Sequence, residues 1–296
     1  MKNLNLTIAD WPEYELLDSG NNKKLERYGA FTLVRPETQA LWAPRRPKLW
    51  SDANAEFERH GEKGTWRERG IPESWQISWN DLAFTVRLTS FKHTGVFPEQ
   101  AANWEWIRER CAALSNPKIL NLFGYTGIAT LAAAKAPGSG GAMGAHVTHV
   151  DASKQSNAWA KENAALSEIP AHAVRYILDD ALKFVEREVR RGASYDGIIL
   201  DPPAFGRGAK GEVWHIEEDL PRLLAGLAKI FAAKPGSFFL LNGYAAGYSP
   251  ASFKQAVEDH MKDAARAEGE FGELRLKESG GSDRVLPSGI YVRFVR

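Results

Sequence analysis

From about residue 100 onward, short apolar runs alternate with longer stretches whose apolar positions recur at helical spacing. KILNLF (118–123), AHVTHVD (145–151), AVRYIL (173–178), YDGIIL (195–200) and SFFLLN (237–242) read as strands. The segments 99–114, 128–136, 153–166, 180–191, 215–233 and 250–265 read as helices. Strands separated by helices predict βαβ units with right-handed crossovers, hence a doubly wound, mostly parallel α/β sheet. The last two runs, ELRLKE (273–278) and GIYVRFVR (289–296), have too little chain between them for a crossover. They are expected as an antiparallel pair at one edge.

The first ninety residues follow another pattern. AFTLVR (30–35) comes after a turn-rich stretch, and WQISW and LAFTVRLTSF flank Asn80-Asp81 as a tight hairpin. All of the ten tryptophans except Trp159 and Trp214 lie at or before Trp106. These features predict a small, mainly β N-terminal domain over 1–89 and a second domain over 90–296.

Composition narrows the class. Net charge is +1, so no strong non-specific grip on nucleic acid is expected, although a local basic patch remains open. No apolar run reaches the roughly 18 residues of a membrane span, and the N-terminus lacks a signal-peptide pattern. A cytoplasmic protein without a membrane partner is expected. Cys111 is the only cysteine, which excludes a disulfide framework and a cysteine-based zinc site. The histidines show no ligand spacing: His146 and His149 lie on one strand at odd spacing and face opposite sides. No metal is expected.

In an open α/β sheet the ligand sits beyond the carboxyl ends of the strands, so the candidate chemistry is read there. After the first strand comes NLFGYTG, in which Gly124 and Gly127 permit a tight turn or close approach of a ligand. After the second come Asp151, Ala152 and Ser153: an acid placed for a ribose diol, a helix cap, or both. After the third come Asp179, Asp180 and Ala181, where one acid can cap the helix and the other can accept from an adenine amino group, or both can be capping acids. After the fourth comes Asp201-Pro202-Pro203-Ala204-Phe205. The prolines carry no N–H, so their carbonyls and the Asp201 carboxylate offer acceptors to a planar amino group while Phe205 stacks on its ring.

The first loop lacks G-x-G-x-x-G, and no P-loop occurs. An adenosine ligand without a pyrophosphate, S-adenosylmethionine, fits better. KILNLFGYTGIATLAAAKA, THVDASKQSNAWAKENAAL and YDGIILDPPAFGRG, preceded by FKHTGVFPEQAANWEWI, resemble the class I S-adenosylmethionine-dependent methyltransferases related to the bacterial 23S ribosomal RNA large-subunit enzymes. The resemblance covers about residues 90–245 and implies a Rossmann-like methyltransferase sheet. It implies that Thr94, Val96, Phe97 and Gln100 close over the cofactor, and that Asn121, Phe123, Gly124, Tyr125 and Thr126, with Gly127, line its methionine end. Asp151, Ala152 and Ser153 would meet the ribose, Asp180 and Ala181 the adenine, and Asp201 and Pro202 would lie between cofactor and acceptor. The product would be S-adenosylhomocysteine.

There is one departure from the family pattern. Relatives that make 5-methylcytosine carry a nucleophilic cysteine just past the fifth strand. Here that position reads Leu241-Asn242-Gly243-Tyr244. Thiolate-assisted carbon methylation is therefore not expected, and a base nitrogen of RNA, ribosomal RNA foremost, is the expected acceptor, by direct in-line transfer. Two alternatives stay open: a protein or small-molecule acceptor, and a non-catalytic RNA- or ribosome-binding protein on the same fold. In the N-terminal region LWAPRRPKLW and TWRERG interleave aromatics with cations, which suits either RNA contact or a tryptophan-filled core. Arg45, Arg46 and Lys48 are expected to guide RNA toward the Asp201 loop. The oligomeric state is not legible.

Overall fold

The computed structural model describes residues 1–296 except 9, 61, 62, 138–143, 209, 210, 245, 246, 263, 265 and 266. Two compact units emerge. One comprises Met1–Leu6, Asn103–Glu273 and Gly289–Arg296; the other comprises Thr7–Ala102 and Leu274–Ser288. This division differs from one at residues 89 and 90. The chain's first residues and its last strands are the reason, because they pair at long range.

The first unit holds the doubly wound sheet. Among the described residues nine strands join it, and its continuous path runs Lys2–Asn3, Glu268–Lys277, Val285–Val295, Phe238–Gly243, Gly197–Leu200, Lys118–Leu122, His146–Asp151, Val174–Leu178, with Leu6–Thr7 also on the Glu268–Lys277 strand. The five central βα strands are mutually parallel, and Val285–Val295 runs antiparallel to Phe238–Gly243. The terminal pair is therefore present but does not form the edge. Lys2–Asn3 adds in parallel outside it and covers backbone groups that an edge strand would leave unpaired. Gly197–Leu200 and Phe238–Gly243 are buried throughout, as strands covered on both faces must be, which is why they read as unbroken apolar runs. A core including Leu120, Leu200, Phe184, Leu223, Leu224, Phe239 and Phe294 lies between sheet and helices.

Helix starts obey local chemistry. Ser153 accepts from the Ser156 N–H ahead of Lys154–Leu166, Asp180 accepts from Lys183 N–H ahead of Ala181–Arg190, and Ser249 accepts from Ser252 N–H ahead of Pro250–His260. The helix expected to reach residue 265 ends at His260, and residues 263 and 265 of that expectation lie outside the described set. Among the described residues no helix is long and apolar enough to cross a membrane.

The second unit carries a five-stranded sheet in the order Tyr14–Gly20, Lys23–Tyr28, Phe31–Pro36, Ala55–His60, Lys63–Glu68, and a separate hairpin of Ser74–Trp79 with Leu82–Arg87. The hairpin turns at Asn80 in the left-handed region (φ 52°). Inside this unit Glu26 and Arg35 form a buried bidentate pair, at 2.7 and 2.9 Å, joined by the Tyr14 and Tyr28 hydroxyls. Burial opposes ionisation of Glu26, yet Arg35 and Lys24 outweigh it and hold the carboxyl at about 2.

Candidate active site

Strand register sets the site. Leu122 pairs with Val150 on one side and Leu200 on the other, and Asp151 pairs with Leu178. The chain therefore leaves three of these parallel strands at one level: 123–127 and 201–205 from adjacent neighbours, 151–153 from the next, and 179–181 just beyond.

The first loop is shaped by backbone that few residues tolerate. Phe123 (φ 56°) and Tyr125 (φ 48°) lie in the left-handed region, as does Gly127 (φ 85°), where a Cβ would also stand 2.9 Å from the Ala160 Cβ. Such outliers persist where the surroundings fix them. Here Gly124 N–H donates to Val150 O (3.1 Å), Tyr125 N–H to Asp151 Oδ2 (2.8 Å) and Asn163 Nδ2 to Thr126 O (2.9 Å). Asp151 Oδ1 takes the Ser153 N–H at 2.8 Å, so one carboxylate ties the first two loops together. Burial raises the Asp151 pKa despite both N–H groups. Each oxygen keeps a second lone-pair direction, so a ribose diol can still be accepted.

Beneath the loop lies a polar chain. Asn121 Nδ2 donates to Thr130 Oγ1 (2.9 Å), which is 2.9 Å from Nδ1 of the fully buried His149. Burial alone lowers His149 to about 4, so its ring is neutral at ordinary pH. A Cβ on Gly124 would meet that ring at 2.4 Å. Asn157 Nδ2 braces the second loop through the Asp151 and Ser153 carbonyls at 2.9 and 3.1 Å. His149, Asn157 and Asn163 were not singled out from the sequence as site supports. The only signal is two amides, Asn157 and Asn163, on the face of the 154–166 helix that also buries Trp159, Ala160 and Ala164.

At the third strand end Asp180 Oδ1 caps the helix (3.0 Å to Lys183 N), while Asp179 is ion-paired to Arg187. Leu178, half exposed beside them, offers the apolar surface a purine ring needs, and this residue was also missed.

The acceptor loop brings the largest change from expectation. Between Phe205 and the Ile216–Ile230 helix the chain forms two short strands that no sequence pattern predicts. Phe205–Arg207 and Val213–His215 form an antiparallel ribbon, with Phe205 opposite His215 and Arg207 opposite Val213. Trp214, buried on the other face, donates Nε1–H to Pro203 O at 2.7 Å and meets the Phe123 ring edge-on at 4.9 Å. Ala204 O accepts from Ile216 N–H. Two of the loop's carbonyls, those of Pro203 and Ala204, thus each accept one hydrogen bond within the chain.

Thr94, Val96, Phe97 and Gln100 belong to the other unit. There Thr94, Val96 and Gln100 are buried, Thr94 O accepts from Arg87 N–H (3.1 Å), and the Phe97 ring lies 5.4 Å from that of His93. In the same unit Asp18 fixes the cationic loop by accepting from Arg45 N, Arg46 N and Trp50 Nε1. Arg45 pairs with Asp283 at 2.8 Å, and Arg46 donates to Ser279 Oγ. The indole N–H groups of Trp42, Trp66 and Trp75 donate to Ser19 O, Thr89 O and Tyr28 O. These tryptophans are fastened to their own unit.

Asn242, inside the Phe238–Gly243 strand, is buried and accepts from Asn103 Nδ2 at 2.8 Å. Cys111 is buried on its helix, and burial pushes its pKa up. Among the described residues no group of three or more His, Cys, Asp or Glu is placed to hold a metal.

The donor set of these loops, carboxylates at two strand ends with the apolar Leu178 and Phe123 surfaces, fits a nucleoside carrying no phosphate. The comparisons agree. Residues 55–258 match the family model for S-adenosylmethionine-dependent methyltransferases. The chain is 39% identical to the S-adenosylmethionine-dependent methyltransferase structure from Agrobacterium tumefaciens, with a TM-score of 0.91 and coverage of 99% of this chain and 93% of that one. SMU.776, solved in complex with S-adenosylhomocysteine, shares the fold at 20% identity and TM-score 0.67, over 96% of this chain and 75% of that one. Ribosomal RNA large subunit methyltransferase K of Neisseria meningitidis serogroup B is 26% identical over 75% of this chain. The K/L enzyme of Pseudoalteromonas atlantica is 30% identical over 77%. The chain spans 64% of the length of the first of these relatives and 32% of the second.

Proposed function

The chain belongs to the S-adenosylmethionine-dependent methyltransferase family, and we propose that it methylates a base nitrogen of RNA, ribosomal RNA foremost, in the cytoplasm. The observation that carries the reading is the level exit of the 123–127, 151–153 and 201–205 loops from the carboxyl ends of neighbouring parallel strands. The ribosomal RNA relatives support the substrate class.

S-adenosylmethionine supplies an electrophilic methyl on its sulfonium. Asp151 accepts from the ribose hydroxyls, and Asp180 with Leu178 frames the adenine. The 123–127 loop flanks the methionine end. The Asp201 carboxylate and Pro202 carbonyl accept the N–H groups of the acceptor amine. They hold its lone pair in line with the methyl carbon and stabilise the positive charge that develops on nitrogen. As the new N–C bond forms, the S–C bond breaks, and the surplus proton leaves the nitrogen through Asp201. With Asn242 at the end of the fifth strand no thiolate adds to a ring carbon, which favours nitrogen.

Asp201→Ala tests this. Methyl transfer to RNA in cell extract should vanish while calorimetric affinity for S-adenosylhomocysteine stays near wild type. Turnover that survives the change would remove the acceptor assignment. Label appearing in protein and not in RNA would replace the substrate class.

A further inference from the structure

The ribbon that follows the acceptor lip has two unlike faces. Direct cross-strand partners share a face, so Phe205, His215, Arg207 and Val213 project together, and Gly206 and Trp214 project to the other side. Trp214 is 4% exposed, whereas Phe205 and Val213 are 51% and 50% exposed, and Arg207 and His215 are exposed as well. Two large apolar side chains thus share one exposed face of the ribbon. Its charges point one way. The Arg207 guanidinium lies 5.9 Å from the centre of the Phe205 ring and has no carboxylate partner among the described residues. Glu212, the acid next to Val213 in the chain, is paired with Lys183 at 2.7 Å. The His215 ring meets Phe205 edge-on at 5.1 Å and can add a second donor.

We infer that this face is a docking strip for single-stranded RNA. The nucleotide flanking the acceptor lays its base along Phe205, Val213 and His215 and sets its phosphate against Arg207. An aromatic beside an unpaired cation fits a base followed by a phosphate, because every base has a face to stack and every linkage a negative charge. A duplex presents neither an unstacked base nor room for the ribbon, so the strip selects single strands. Trp214 makes it a rigid extension of the lip, since its indole bonds Pro203 O and packs on Phe123. The inference rests on the RNA reading above and adds where the strand next to the acceptor lies.

The test uses the full chain and a fluorescein-labelled, mixed-sequence single-stranded RNA of roughly 12 nucleotides, with the same sequence as a duplex for comparison. Arg207→Gln should weaken single-strand binding and make the slope of log affinity against log salt shallower by about 0.7, the loss of one phosphate contact. Phe205→Ala should cost about five- to a hundredfold. Val213→Glu, on an exposed position that folding does not depend on, should weaken binding by repulsion. All three should keep the wild-type heat of S-adenosylhomocysteine binding, which also shows that they fold. Wild-type RNA binding with unchanged affinity and slope in the variants would overturn the strip and leave the methyltransferase reading intact. Equal affinity for single strand and duplex would overturn it too. A wild-type chain that binds no RNA would overturn both the strip and the RNA substrate.

Discussion

Replacing Gly124 by alanine tests the polar support beneath the first loop. The new Cβ would lie 2.4 Å from His149 Cε1 and 2.5 Å from Nδ1. Ordinary carbon contact begins at about 3.5 Å, so the ring must retreat by about 1 Å or the loop must lift. Retreat stretches the 2.9 Å contact of Nδ1 with Thr130 Oγ1 and presses the ring toward Tyr176, whose centroid is 5.3 Å away. Overpacking costs about 1–3 kcal/mol and a broken buried hydrogen bond about the same, giving roughly 2–6 kcal/mol together. Against a typical stability of about 5–15 kcal/mol this is a large fraction. If the loop lifts instead, the Tyr125 N–H to Asp151 bond is lost and cofactor affinity falls. Urea unfolding with calorimetry of S-adenosylhomocysteine reads both routes.

The decisive comparison is the double variant Gly124→Ala with His149→Ala. Removing the imidazole opens space that the alanine methyl partly fills. The double should therefore be more stable than the sum of the singles by about 1–3 kcal/mol. Additivity within about 0.5 kcal/mol would refute the claim that the His149 ring sets how close the loop can come.

Other expectations follow from the same contacts. Burial holds His149 near 4 against an ordinary value of 6.5, so the unfolded chain takes up a proton that the folded chain refuses. Stability should accordingly fall as pH drops from about 6.5 toward 4 and then level off, by up to about 3 kcal/mol, and His149→Gln should flatten that slope in unfolding measured against pH. Trp214→Phe removes the Nε1–H to Pro203 O bond but keeps an aromatic against Phe123. It should lower kcat for RNA methylation by about tenfold, the worth of roughly one buried hydrogen bond, with cofactor affinity unchanged; equal losses in both would mean general damage. Arg35→Met leaves the buried Glu26 with only Lys24, 3.5 Å away, as a cation and should cost about 3–5 kcal/mol in denaturant unfolding, most of it recovered by adding Glu26→Gln.

The alternation of the catalytic unit was legible because its strands are covered on both faces. A segment such as Gly197–Leu200 has no polar position to blur it, and two of the unit's helices carry Ser153 and Asp180 as caps. The strand ends then followed from topology. What escaped had physical reasons. Lys23–Tyr28 reads as a polar turn, yet Glu26 sits inside because Arg35 and the Tyr14 hydroxyl, distant in sequence, satisfy it. The 205–207 and 213–215 strands are too short to show periodicity, and what holds them is Trp214 reaching back to Pro203. Lys2–Asn3 joins the catalytic sheet by pairing with Glu270 and Phe271, a contact no local pattern announces.

The acceptor lip and the cofactor loop are built as one object, and this bears on how the reaction is aligned. Phe123 leaves its strand in a left-handed conformation that turns its ring toward Trp214. Trp214 in turn holds the Pro203 carbonyl in place. In-line transfer loses rate steeply with misplacement of about 1 Å. A single indole that contacts the methionine-side loop and the Asp201 lip at once limits how far either can drift from the other. On the proposed reading, Asp201 and Pro202 would touch the amine, while Trp214 would set the distance across which the methyl must travel.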